Sequence, residues 1–225
     1  MRIWHISDTH GYHDLLQVPE DIDMVIFSGD AGNVRSPFIN EHEVRSFLLW
    51  YSNLNIPLKL MIAGNHDSSI EAKLIKSKDI LRDYSIMYLE DEMIEIEGLR
   101  IWGSPCTPTF NNWSFNRDRS KLNEIWQRVP DDINIMITHG PPKGILDLSE
   151  DRDSNLDLCG DSALLKRILT IKPKLHLFGH IHNFKNHINA GIMKLSIQDT
   201  IFSNGSVVTD NKFGILSSNG NILEI

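Results

Sequence analysis

Cysteine is scarce in this 225-residue chain: Cys106 and Cys159 are the only two, and they form no C-x-x-C pair. That excludes a disulfide framework and a paired-thiol redox motif. Long apolar runs are also missing. No stretch approaches the roughly 18 residues that a membrane-spanning helix needs. The opening MRIWHISD reads as a strand, without the basic and apolar segments of a secretion leader, so a cytoplasmic location is expected. Positive charge is in short supply: 22 Lys and Arg stand against 30 Asp and Glu, a formal net charge of −8. Such a surface argues against broad nucleic-acid binding, which depends on neutralising phosphates with basic groups. A small phosphate-bearing substrate remains compatible, because bound metal reverses the sign locally.

What is present is ordinary in bulk, with 41% hydrophobic and 23% charged residues, and residues 1–225 are expected to form one domain. Apolar runs of strand length recur at 2–6, 22–27, 58–63, 133–137 and 174–178. Between them, 42–54, 117–129 and 160–171 carry helical patterns. This alternation predicts an α/β fold with largely parallel pairing. Shorter alternating segments at 92–103 and 186–225, with turn signals at Glu97-Gly98, Ala190-Gly191 and Asn219-Gly220, add hairpin-like strands. Two mixed sheets packed face to face would hold both sets. Segments 104–116 and 140–159 read as long loops.

The chemistry sits where the strands stop. RIWHIS is followed by Asp8-Thr9-His10, DMVIFSG by Asp30, LKLMIAG by Asn65-His66-Asp67, INIMIT by His139, and KLHLFG by His180-Ile181-His182. In an open α/β sheet, ligands bind outside the carboxyl ends of the strands, so five segments can deliver side chains to one point. An aspartate after a strand is, by itself, a common turn residue; the repetition is the signal. Imidazole, carboxylate and amide donors without thiolate suit Mn, Fe, Zn or Co. Seven candidate ligands are too many for one tetrahedral zinc, but they fit two ions roughly 3.5–4 Å apart that share a carboxylate. Two divalent ions, offset by Asp8, Asp30 and a bridging hydroxide, leave a charge of about +1, suited to an anionic phosphoryl group.

The ordered set D-x-H, G-D, G-N-H-D, a strand-end histidine and G-H-x-H closely resembles the calcineurin-like metallophosphoesterases. The stretches WGSPCTPTFNNWSFN (102–116), THGPPKGILD (138–147) and 159–182 look like the metallophosphoesterase domain-containing subgroup, which is similar to cyclic-nucleotide phosphodiesterases. The resemblance implies the metallo-dependent phosphatase fold, two packed mixed sheets flanked by helices. It implies that Asp8, His10 and His182 hold one metal, Asn65, His139 and His180 a second, and that Asp30 bridges them. His66 is then the residue that contacts phosphoryl oxygens and assists the leaving group, imidazole being the side chain that exchanges protons near neutrality. Asp67 either orients His66 or serves as a turn residue. The implied reaction is attack by metal-activated hydroxide on a phosphate ester, a phosphodiester such as a cyclic nucleotide in the first place. The cofactor is two divalent ions, manganese ahead of iron, zinc, cobalt or magnesium. A phosphomonoesterase, a nuclease or a catalytically silent scaffold are the alternatives.

Other residues are read more plainly. His5 and His176 lie within strands and are expected in the core, as are Trp4, Trp102 and Trp126; His42 and His187 are expected at the surface. His13 and Asn33 are candidates for the rim of the site. Phe110, Trp113 and Phe115 either pack their own loop or wall the pocket.

Overall fold

The computed structural model describes residues 1–150, 153–209 and 216–225. The first half runs β1 (Arg2–Ile6), β2 (Met24–Ser28), α1 (Pro37–Ser52), β3 (Leu58–Ile62), α2 (Ser68–Glu71), α3 (Ser77–Tyr84), β4 (Met87–Tyr88), β5 (Glu92–Ile96) and β6 (Leu99–Ser104). The second continues with β7 (Thr107–Pro108), β8 (Asn116–Arg117), α4 (Arg119–Gln127), β9 (Ile135–Thr138), β10 (Leu148–Glu150), β11 (Leu156–Leu158), α5 (Ser162–Ile171), β12 (Leu175–Phe178), β13 (Gly191–Lys194), β14 (Ile201–Asn204) and β15 (Asn221–Glu224). One sheet has the order β15-β1-β2-β3-β4 and the other β13-β14-β12-β9-β6-β5. Both are mixed. Their centres are parallel, while β15, β13 and β5 run antiparallel on the edges.

The central strands read as continuous apolar runs because both of their faces are covered. Along β2, Met24 and Ile26 face the other sheet, whereas Val25 and Phe27 face helices. Ile3, Leu60 and Ile62 meet Ile101, Ile135, Ile137, Leu175 and Leu177 in a dry layer between the sheets. Each such side chain contributes roughly 1.5–3 kcal/mol of transfer free energy. Val44, Phe47, Leu48 and Tyr51 of α1 cover the outside of the first sheet. Leu122 and Trp126 of α4 and Leu164 and Ile168 of α5 cover the second. The expected architecture of two packed mixed sheets flanked by helices is what forms. Because the central strands are parallel, their carboxyl ends lie on one side of each sheet.

Several boundaries differ from the sequence reading. α1 starts at Pro37 and not at 42, because Ser36-Pro37 is a helix start in which proline supplies a preset φ. The short helices α2 and α3 were not anticipated. The supposed loops 104–116 and 140–159 contain the two-stranded pairs β7-β8 and β10-β11. Glu97-Gly98 is the hairpin turn between β5 and β6, with φ of 51° and 74°. Of the strand-rich span 186–225, residues 210–215 lie outside the described residues, as do 151–152 of the loop 140–159.

Candidate metal centre

The residues after β1, β2, β3, β9 and β12 converge. Donor atoms of Asp8, His10 and His182 lie within 4.8 Å of one another, and so do those of Asp30, His139 and His180. Asp30 stands between the two groups, its Oδ2 3.8 Å from His10 Nε2 and 3.3 Å from His139 Nε2. Asn65 Oδ1 is 2.9 Å from His139 Nε2, and His182 Nε2 is 3.0 Å from Asp8 Oδ1. All seven expected ligand positions are therefore brought together. A ring nitrogen of His66 also lies within 4.8 Å of donor atoms of His10 and Asp30.

Backbone conformation aims these groups. Asp8, His10, Asp30 and His180 have φ of 55°, 43°, 64° and 70°, the left-handed region that L-residues enter at a cost of about 1–2 kcal/mol each. Such strain gathers where surrounding structure holds a ligand cradle in place. The carbonyl of Gly32 accepts from His10 Nδ1 at 3.0 Å, and that of Ser28 accepts from His139 Nδ1 at 2.8 Å. A carbonyl only accepts, so each ring carries a proton on Nδ1 and turns Nε2 inward.

Two glycines show how closely the cradle is drawn. A Cβ on Gly64 would collide with Asp30 Oδ1, and one on Gly179 would collide with Asp8 Oδ2. At either position a methyl group would push a carboxylate out of the cluster.

The electrostatics suit a cation. Burial outweighs the nearby carboxylates at His10 and lowers it to about 4; burial, with His139 beside it, lowers His180 to about 3. For Asp8 and Asp30, burial opposes ionisation. His182 beside Asp8 and His139 beside Asp30 outweigh it and hold both carboxyls below their usual range. His139 also loses by burial but gains more from Asp30, which lifts it to about 9. His10 and His180 are thus neutral imidazoles beside ionised carboxylates, and a divalent ion would displace the proton that Asp30 holds on His139; an N/O set without thiolate fits two such ions.

Asp67 is a correction. Its carboxylate does not orient the His66 ring. Oδ2 accepts from the amides of Asp30 and Gly64 at 2.9 and 2.8 Å, and Oδ1 from those of Ala31 and Gly32 at 2.9 and 3.1 Å. Burial and the neighbouring Asp30 raise it to about 6, against the pull of the Gly64 and Gly32 amides. With four N–H donors around one carboxylate, we assign it as ionised. Asp67 staples the loop after β2 to the loop after β3. The His66 ring is held instead by Asn33, whose carbonyl accepts from Nδ1 at 3.1 Å.

Two contributors, Ser206 and Asn40, were not foreseen, and a third, Trp113, was expected only to pack its loop or wall the pocket. Ser206 Oγ donates to Asp8 Oδ2 at 2.8 Å. It follows β14 in the run Ile201–Asn204, Gly205, Ser206, a sixth strand end of the same kind, and that repetition was the available signal. Buried Asn40 of α1 donates to the His66 carbonyl and accepts from Ser69 N–H, at 2.7 and 2.9 Å. Trp113 stacks on His66, with ring centroids 4.0 Å apart. His13 does not reach the rim: it is buried against Phe47 and Trp50. Phe115 is buried in the core, Phe110 is exposed, His42 is exposed and His187 is half-buried. Trp4, Trp102 and Trp126 are in the core.

The sequence model of the calcineurin-like phosphoesterases matches residues 1–184, which include the five donor-bearing strand ends. Metallophosphoesterase domain-containing protein 1 of Homo sapiens is 34% identical over 229 positions, covering 92% of this chain and 66% of that protein. UPF0046 protein C25E10.12 of Caenorhabditis elegans is 33% identical, covering 79% of this chain and 67% of that one. The chain thus spans about two thirds of the length of these relatives. The crystal structure of TT1561 of Thermus thermophilus superposes with a TM-score of 0.59 at 13% identity, over 90% of this chain and 88% of that one, a likeness of fold alone. A paired donor cluster at the strand ends of two packed sheets, within residues 1–184 that the family model matches, places this chain in the calcineurin-like phosphoesterase family of metal-dependent phosphate-ester hydrolases.

Proposed function

We propose that the chain is a two-metal phosphodiesterase acting on small phosphodiesters such as cyclic nucleotides, with manganese as the preferred ion and the cytoplasm as its place of action. The carrying observation is Asp30, one carboxylate set between two donor groups. Asp8, His10 and His182 would hold one ion, Asn65, His139 and His180 the other, with Asp30 shared. When bound, two such ions bring the pKa of water toward neutrality and polarise phosphoryl oxygens. The chain's own residues do the rest. The Gly32 and Ser28 carbonyls keep His10 and His139 in one ring orientation, and the Asp67 staple keeps Asp30 in place. His66, with Nδ1 committed to Asn33, presents Nε2 to the ester, where as an imidazolium it stabilises phosphoryl charge and passes a proton to the leaving oxygen.

Charge favours the diester. Four positive charges from two ions, against Asp8, Asp30 and an attacking hydroxide, leave about one, which matches a monoanionic diester better than a dianionic monoester. The test is reconstitution with Mn, Fe, Zn, Co or Mg, followed by assay on bis-p-nitrophenyl phosphate, p-nitrophenyl phosphate, and 2′,3′- and 3′,5′-cyclic nucleotides. The Mn-loaded protein is expected to turn over the diesters faster. Preference for the monoester overturns the diester assignment, and no turnover with any ion overturns the enzyme reading.

A further inference from the structure

The segment between β7 and β8 is tied to both motif loops. Ser114 N–H donates to the Asn65 carbonyl at 3.3 Å, and Phe115 N–H to Glu71 Oε1 at 2.9 Å. Arg35, on the loop after β2, donates to the carbonyls of Asn111 and Asn112, and its Cζ lies 4.5 Å from the centroid of Trp113. These ties set the indole of Trp113 on the imidazole of His66, with centroids 4.0 Å apart and planes at 30°. His10 meets the same imidazole edge-on, at 4.8 Å and 86°. The Asn33 carbonyl that binds Nδ1 is itself placed, because the amides of Asn33 and Val34 donate to Glu43 Oε2 at 2.8 and 2.9 Å.

His66 is only partly buried, and one hydrogen bond is a weak restraint on a ring with two rotors. The ring needs a fixed plane if Nε2 is to stay aimed at a reacting oxygen, since small misplacements are costly in rate. Among the described residues, the indole face of Trp113 is the surface stacked on that plane. We propose that Trp113 is a positioning residue for His66: it holds the imidazole in its working orientation, and Arg35 latches the loop that carries the indole. The inference rests on the role of His66 given above. It assigns the segment 104–116 a task in turnover without contact to the substrate.

The experiment uses the metal-loaded full chain with bis-p-nitrophenyl phosphate. Trp113→Ala is expected to lower kcat by about tenfold to a hundredfold, with KM within about twofold and metal content unchanged. Trp113→Phe, which keeps an aromatic face, recovers most of the rate. Trp113→Leu, which keeps apolar bulk without the face, does not, and this pair decides the matter even where Trp113→Ala fails to fold. Adding Trp113→Ala to His66→Ala is expected to cost nothing beyond His66→Ala alone, because the one residue acts through the other. Equal rates in the Leu and Phe variants, an unchanged kcat, or a further tenfold loss in the double variant overturns the proposal. Should the wild type hydrolyse no ester, the phosphodiesterase reading falls, and the stack is judged separately by NMR. The His66 ring protons, identified with His66→Gln, must move downfield in Trp113→Leu and stay near their place in Trp113→Phe. Unmoved resonances in the Leu variant overturn the stack as well.

Discussion

His5 and His176 lie on β1 and β12, the strands that end in Asp8 and His180, yet they meet a different fate from the strand-end histidines. Both are fully buried and both bond to hydroxyls. His5 reaches Ser203 at 2.8 Å and Ser28 at 2.9 Å, which joins the two sheets, and His176 Nε2 reaches Thr138 at 2.9 Å. Thr138 spends its proton on the Gly140 carbonyl, so it accepts from His176 Nε2 and leaves the buried Nδ1 lone pair without a hydrogen-bond partner among the described residues. Burial lowers both histidines to about 3. At the strand ends, the same side chain meets Asp8 and Asp30, and His139 is lifted to about 9 in spite of equal burial. Burial alone therefore does not make a histidine a ligand. The neighbours differ: hydroxyls leave His5 and His176 as neutral core residues, whereas Asp30 outweighs burial at His139, though not at His10 or His180.

The largest effect is expected from the carboxylate on which the contrast turns. Asp30→Ala should lower turnover on the order of 10³-fold or more and reduce bound metal, because both donor groups lose their common member. Metal analysis beside kinetics checks this, and retention of two ions would break the comparison. Asp67→Asn probes a carboxylate that sits beside the centre but serves the backbone. An amide offers one acceptor oxygen to four N–H donors, so the unfolding free energy should fall by about 3 kcal/mol, with weaker metal binding following as Asp30 loosens. Urea titration of wild type and variant measures it, and a neutral result would return Asp67 to the role of an ordinary turn residue.

The smallest effect is a pH slope. The folded-state value of His176, about 3, lies below its ordinary 6.5, so between these limits the unfolded chain binds more protons. The stability tied to a neutral His176 is fully present above pH 6.5 and declines as pH falls toward 3, by on the order of 1 kcal/mol per pH unit. His176→Gln keeps a donor for Thr138 and removes the titration. Its unfolding midpoint should change less between about pH 6.5 and 5 than that of the wild type, and equal slopes would sink the claim.

The five donor-bearing strand ends were legible because each motif is local: an apolar run, a small residue, then His, Asp or Asn within a few positions. The alternation of strands and helices was equally local, and so was the Glu97-Gly98 turn. The missed parts are contacts across the chain. The hydrogen bond from Ser206 to Asp8 joins residues 198 apart, and it exists because β14 lies beside β12 and meets the end of β1 through the Ser7–Ser206 bridge. Asp67 looked like a partner for adjacent His66, but its four amide donors belong mostly to a loop more than thirty residues earlier.

Sequence alone determined the donor types, the order of the candidate ligands and the α/β class, since residue type and period carry those without reference to neighbours. Tertiary structure decided which histidines face carboxylates and which face hydroxyls, where Asp67 spends its charge, and that Trp113 lies on His66. Those outcomes depend on sheet register and loop docking, which place side chains against groups that no local pattern could name.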